Sequence, residues 1–321
     1  MTLQAGTYSQ MTLRDYLAAA AVNASLLQTL ATRCPYAAWF SSWLNPDKFP
    51  ELSTPLMDAG SIAHAILLEG DYSRIAVIDP NKYPAKTTGN IPEGWTNQDI
   101  RRARDEAILA GKIPILKPAM GEVENMVAAA RAFLESVQRD EPQVFAAFQR
   151  GGGESEVSMF WDDGGTPCKI RPDRINTERT LIVDYKTGDT SAEPNTWGRV
   201  QMIRMGYYVG AAFYRRGVQA LCGTRPGYVY LVQESKPPYL CSLVGMDEAA
   251  FETGAAQIDY AIGLWKKCVA TRHWPAYPPR VCYPEIPAWE SVRVEEQLAA
   301  GELYDPANSP KRYALETDPA I

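Results

Sequence analysis

RPDRINTERTLIVDYKTG, residues 171–188, carries an Asp directly after a Pro and, eleven positions on, a second Asp two residues before a Lys. In an extended strand alternate side chains share a face. TLIVDYK therefore projects Asp184 and Lys186 together and sends Val183 and Tyr185 the other way. NTER is a natural turn, so PCKIRPDRI and TLIVDYK are predicted side by side, with Asp173 near the end of its strand. Upstream, ESEVSMFW is predicted as a third strand with Glu154 and Glu156 on its polar side. If the three pair as a meander, Glu156, Asp173 and Asp184 converge at one edge.

Three carboxylates at one edge repel, and burying them unpaired costs several kcal/mol. A divalent cation removes that cost. Hard oxygen donors with few sulfur or imidazole partners favour Mg²⁺ or Mn²⁺, ions that activate water and stabilise charge on a phosphodiester. Lys186 then stands where it orients the water or neutralises the phosphate. With only His64 and His273 in the chain and no zinc-finger cysteine pairs, a multi-histidine or cysteine zinc site is not expected. The competing reading is a surface hairpin whose charges are balanced by Arg171, Arg174 and Lys186. The spacing alone leaves both open.

Composition sets the frame. Of 321 residues, 46% are hydrophobic and 22% charged, the balance of a soluble globular protein. The net charge of −6 supplies no global positive field. Phosphate contacts would come from local clusters at Arg101, Arg102 and Arg104, at Lys169, Arg171 and Arg174, and at Arg215 and Arg216, each of which also reads as a solvated face. MTLQAGTYSQ lacks the form of a signal peptide, and the apolar run 16–31 is broken by Asn23, Ser25 and Gln28, so the expectation is a cytoplasmic protein without a membrane span. Six scattered cysteines fit reduced, mostly buried thiols.

Helical periodicity covers residues 11–44, LMDAGSIAHAILLEG, NQDIRRARDEAILAG and PAMGEVENMVAAARAFLESVQ, with a short strand at RIAVID. GGG at 151–153 is the clearest break. Beyond it come three short strands, one long helix from about Asn195 to Arg216, strands at GYVYLV and YLCSLV, and a closing helix, DEAAFETGAAQIDYAIGLWKKCVA. The fold class expected is α/β, a central mixed β-sheet flanked by helices behind a helical N-terminal part. The boundaries are 1–150 for the helical part, 151–287 for the strand-rich core and 288–321 for a tail without periodicity.

KIRPDRINTERTLIVDYKTG resembles the core of the PD-(D/E)xK nuclease superfamily, whose sheet is restriction-endonuclease-like. DAGSIAHAILLEG, ESEVSMFW, GYYVGAAFY and YVYLVQESKPPY follow the order found in its exodeoxyribonuclease VIII (RecE-like) family, over about residues 55–280. The resemblance implies that Asp173 and Asp184 are metal ligands, that Lys186 is the catalytic lysine, and that His64 borders the metal and assists catalysis. Glu156 takes the acidic strand position, as auxiliary ligand or DNA-facing group. It further implies exonuclease action on double-stranded DNA ends, 5′ to 3′, in phage or bacterial recombination, a ring-like homo-oligomer, and a single-strand annealing protein as partner. The family's Gln, four residues before a Tyr on the helix after DxK, is missing, because that place reads Gly210 before Tyr214. Gln201, expected on one helical face with Tyr208, is its candidate substitute and otherwise an ordinary surface residue. A catalytically weakened DNA-binding relative, and a structural or interaction module, are the other function classes.

Overall fold

The structure, a computed structural model, describes residues 4–47, 55–85 and 89–301. The chain divides into two compact units, Met1–Ala276 and Tyr277–Ile321.

In the first unit, β1 (Gly6–Tyr8) is followed by α1 (Leu13–Ala18), α2 (Ala24–Thr32) and α3 (Pro35–Ser41). The sequence predicts one helical stretch here. Caps divide it: Thr12 and Asn23 accept from the N–H groups of Asp15 and Leu26, and Pro35 opens α3, where its missing N–H costs nothing. α4 (Pro55–His64) runs into a wide π turn, Ala65–Glu69, and stops at left-handed Gly70. β2 (Ile75–Ile78), α5 (Gln98–Leu109), β3 (Ile113–Leu116), α6 (Lys117–Ser136) and α7 (Pro142–Phe148) complete this half. β2 and β3 pair in parallel, apart from the main sheet.

After the glycine run come β4 (Gly153–Ser155), β5 (Ser158–Asp162), β6 (Pro167–Ile170), β7 (Arg174–Asn176) and β8 (Leu181–Gly188). ESEVSMFW and PCKIRPDRI, each expected as one strand, are therefore two strands apiece. β5 and β6 pair with β1 in a small sheet, while β4 and β7 belong to the main one. The three segments do pair in turn as the antiparallel run β4-β7-β8, but only through parts of the first two. Pro172 offers no N–H to a ladder, and opposite it Glu156 turns to φ +56°, so both strands leave one sheet and enter the other at the same level.

The long helix expected over Asn195–Arg216 is also interrupted. A single turn, α8 (Pro194–Thr196), leads into a π turn, Trp197–Met202, and left-handed Gly206 precedes α9 (Tyr207–Cys222). Gly206 has φ +64°, the left-handed region that favours glycine, and the Gln28 side chain of α2 lies against it. β9 (Gly227–Glu234), β10 (Cys241–Gly245) and α10 (Glu248–Thr271) follow. The main sheet has the order β10-β9-β8-β7-β4, parallel between β8 and β9 and antiparallel elsewhere, which makes it the expected mixed sheet.

Alternation along β8 divides the core. Leu181, Val183 and Tyr185 pack with Ile62, Ile66, Val123 and Val127 of the α4–α6 side. Ile182 packs with Phe213, Tyr228, Tyr230 and Ile258 of the α9–α10 side. Of the cysteines, Cys34, Cys168 and Cys268 are buried, but Cys222 and Cys282 are exposed. In the second unit the segment expected to lack periodicity forms α11 (Ala288–Ala300). No helix among the described residues is long and apolar enough to cross a membrane.

Candidate active site

The site begins at the double strand break. The N–H of Glu156 donates to the carbonyls of Pro172 (3.0 Å) and Asp173 (3.2 Å), which locks the two kinks together. A left-handed glutamate costs on the order of 1 kcal/mol, and its return is direction. Glu154, expected beside Glu156, instead pairs with Arg179 and accepts from the Ser9 hydroxyl. Glu156 turns the other way, into the site. There Arg171 Nε donates to it at 2.5 Å, and the same guanidinium reaches the Ser158 hydroxyl and the Met11 carbonyl.

Asp173 leads into β7, and its Oδ2 accepts the Tyr185 N–H at 2.9 Å. His64, the last residue of α4, brings Nε2 to 3.1 Å from that oxygen and Nδ1 to 3.6 Å from Glu156 Oε1. Close approach of α4 to the sheet makes this possible. A Cβ at Gly60, one turn before His64, would lie 2.6 Å from Thr187 Oγ1 on β8.

Asp184 and Lys186 share a face, as alternation requires, and their side chains are in direct contact. The second Asp184 oxygen accepts from the Tyr228 hydroxyl at 2.7 Å, and the neighbouring Asp173 acts on Asp184 through its charge. Lys186 Nζ also lies 5.5 Å from the Tyr207 ring centre. His64, Glu156, Asp173, Asp184 and Lys186 thus form one connected cluster.

The electrostatics follow. Burial opposes charge on His64, but Asp173, Glu156 and Asp184 outweigh it and raise the imidazole to about 9. Burial and the Asp173 charge push Asp184 above the usual carboxylate range. Burial would raise Asp173 as well, yet His64 and Lys186 hold it below that range. Burial disfavours charge on Lys186, and the two aspartates more than compensate, so its pKa lies above the ordinary value. Glu156 is pushed up by burial and by Asp173.

The donor set fits a divalent cation. One ligand atom each from His64, Glu156 and Asp173 lie within 4.8 Å of one another. A nitrogen with two carboxylate oxygens suits Mn²⁺ and Mg²⁺ among the hard ions. Of the ligands expected from the sequence, His64 and Asp173 stand in this group with Glu156, while Asp184 is engaged by Lys186 and Tyr228.

Gln201 lies in the π turn Trp197–Met202. The Gly206 break ends the continuous face expected to join it to Tyr208, whose hydroxyl instead accepts from Gln257 of α10. Gly210 faces α2, its Cβ position 4.0 Å from Ala24 Cβ. Tyr214 remains at the site, donating to the Arg171 carbonyl at 3.3 Å.

Two contributors escaped the sequence reading. Arg171 is counted there among surface charges, but it is nearly buried against Glu156. Tyr228 was findable, because β9 lies parallel to β8 and its alternate residues share the Asp184 face. Two of the basic clusters are likewise consumed internally. Lys169 is buried on the carbonyls ending α1, Arg174 binds the Ala147 carbonyl, and Arg215 and Arg216 pair with Glu248, Asp163 and Asp259.

A mixed sheet carrying Asp173, Asp184 and Lys186 at this crossing defines a member of the PD-(D/E)xK superfamily. Residues 37–283 match the PDDEXK-like domain of unknown function (DUF3799), and the chain belongs to that family. A candidate exonuclease from Eubacterium rectale shares the fold, with TM-score 0.55 and 13% identity over 88% of this chain and 98% of that one. An alkaline exonuclease from Laribacter hongkongensis matches at 17% identity over 63% of this chain and 97% of its own, but its TM-score of 0.20 carries no argument. No curated protein matches the chain.

Proposed function

We propose that the protein is a divalent-metal-dependent exodeoxyribonuclease that hydrolyses phosphodiester bonds at double-stranded DNA ends. The observation that carries this reading is the Asp173 carboxylate, which meets His64 on one side and, on the other, accepts the Tyr185 N–H of the strand that bears Asp184 and its partner Lys186.

His64, Glu156 and Asp173 would hold Mg²⁺ or Mn²⁺, which supplies positive charge against the phosphodiester as negative charge develops. Asp184, raised above the ordinary carboxylate range, is suited to accept the proton of the attacking water. Lys186 stays charged, so it acts as donor and counter-charge rather than as base: it orients the water and faces the phosphate oxygens. Tyr228 fixes the other Asp184 oxygen. Arg171 orients Glu156 from behind.

The likeness of the ordered motifs to the exodeoxyribonuclease VIII family supports the finer points. These are 5′ to 3′ polarity, a role in phage or bacterial recombination beside a single-strand annealing protein, a ring-like homo-oligomer around the duplex, and a cytoplasmic location. The E. rectale protein of the same fold is described as an exonuclease, which agrees with end-dependent hydrolysis.

The test is digestion of end-labelled linear duplex beside a covalently closed circle, with Mg²⁺ or Mn²⁺, for wild type and Lys186→Ala. Wild type is expected to degrade the linear DNA alone, and the variant neither substrate. Intact linear DNA in both metals would remove the nuclease reading, and equal cutting of the circle would make the activity endonucleolytic.

A further inference from the structure

Between α8 and α9 the chain makes an excursion whose ends meet beside the site. The Trp197 and Tyr207 rings stack with centres 5.6 Å apart and planes at 20°, and Tyr207 is the ring over which Lys186 lies. Residues 198–206 therefore form a raised segment anchored at both feet next to the lysine. Gln28 of α2 ties it down further, donating to the Met205 carbonyl.

What the segment presents is unusual for a surface. Val200, Ile203 and Met205 are 50%, 58% and 46% exposed. Arg199 and Arg204 are exposed beside them, and neither has an ion-pair or hydrogen-bond partner among the described residues. This contrasts with Arg171, Arg174, Arg215 and Arg216, all engaged internally. Arg199 lies in the Trp197–Met202 turn and Arg204 two residues beyond it, so in sequence the two arginines flank Val200 and Ile203 within one short exposed segment that ends at Met205.

We propose that Arg199–Met205 is a DNA-end-engaging element, in which the two guanidinium groups contact backbone phosphates and Val200, Ile203 and Met205 pack on the exposed terminal bases. The proposal rests on the nuclease reading above and names the surface that presents the end to Lys186. Charge selects the partner. Unpaired arginines flanking an apolar ridge match a polyanion with apolar base faces, and apolar side chains wedged against base steps are an established way of engaging DNA. Anchoring at both ends keeps the ridge preformed, which limits the ordering cost of binding.

Binding is measured without hydrolysis, by fluorescence anisotropy of a labelled blunt duplex in EDTA. The proteins are wild type, Arg199→Ala/Arg204→Ala, and Val200→Ser/Ile203→Ser/Met205→Ser, each with its melting temperature recorded. The arginine variant is expected to bind about tenfold more weakly, with the slope of log K against log salt reduced by about 2, because about two phosphate contacts are lost. The serine variant is expected to lose severalfold affinity for the blunt duplex and none for a closed circle. All three proteins binding both DNAs equally would overturn the proposal. So would a serine variant with unchanged DNA affinity but an altered sedimentation mass, which would make the ridge a protein interface. Failure of the nuclease reading appears separately, as wild type that leaves linear DNA intact in the hydrolysis assay.

Discussion

Nε2 of His64 lies 3.1 Å from Oδ2 of Asp173, and the same oxygen accepts the backbone N–H of Tyr185 at 2.9 Å. One carboxylate thereby ties the end of α4 to the strand that carries Asp184 and Lys186. Since burial disfavours the imidazolium, its persistence reports how strongly the acids around it act.

That balance gives a signed dependence on pH. The folded pKa of His64 is raised to about 9, above the ordinary value of about 6.5. Its contribution to stability is therefore complete below about pH 6.5 and lost as pH rises through about 9. Urea unfolding of the metal-free protein at pH 6 and pH 9.5 is expected to differ by on the order of 1–3 kcal/mol from this group. His64→Gln should abolish that part of the difference. An unchanged slope in the variant would mean that another group is responsible.

Lys186 compensates the charge of two neighbouring aspartates, Asp173 and Asp184. Lys186→Ala should reduce DNA hydrolysis by roughly 10²–10³, the usual effect of removing one donor to developing charge. In EDTA it should also lower the melting temperature by several degrees, since it leaves crowded carboxylates uncompensated. Mn²⁺ should then stabilise the variant more than the wild type. Equal stabilisation of both by Mn²⁺ would show that the cation does not sit near Asp173 and Asp184.

Gly60 and Thr187 set how closely α4 approaches β8. A Cβ at residue 60 would meet Thr187 Oγ1 at 2.6 Å, so Gly60→Ala should push α4 outward and displace His64 from Asp173. The expected result is destabilisation of about 1–3 kcal/mol with weaker Mn²⁺ binding. Thr187→Ala removes the obstructing hydroxyl, so the double variant should recover both properties. A double variant as impaired as Gly60→Ala alone would place the fault elsewhere.

Much of this site was legible because strand alternation is a strict rule. TLIVDYK placed Asp184 and Lys186 on one face and Val183 and Tyr185 on the other, as the two core layers bear out. The mixed sheet and the break at GGG could be read as well. The kink at Glu156 could not, because nothing in ESEVSMFW marks a left-handed glutamate; its cause is Pro172, on a different strand. Arg171 looked like surface charge because its partner depends on that same kink. The break at Gly206 was hidden in a segment of helical composition, and the contact that accompanies it is again remote, the side chain of Gln28 on α2. Local rules fixed each strand's faces, and contacts distant in sequence decided where strands and helices end.

The kink at Glu156 yields the prediction that separates the two ligand sets. The sequence pattern expects His64, Asp173 and Asp184 to hold the cation, whereas the atoms within 4.8 Å of one another belong to His64, Glu156 and Asp173. Glu156→Gln keeps an oxygen to accept from Arg171 and removes the negative charge, so the local hydrogen bond and the melting temperature should be nearly unchanged. If Glu156 is a ligand, Mn²⁺ affinity measured by calorimetry should fall by about tenfold or more, since hard cations depend on carboxylate charge. Asp184→Asn, whose single carbonyl oxygen still accepts from one of Lys186 and Tyr228, should then weaken Mn²⁺ binding less than Glu156→Gln while abolishing hydrolysis. The opposite order, a large loss of affinity in Asp184→Asn and none in Glu156→Gln, would move the cation toward β8. Glu156 would then serve only to position His64 and Arg171.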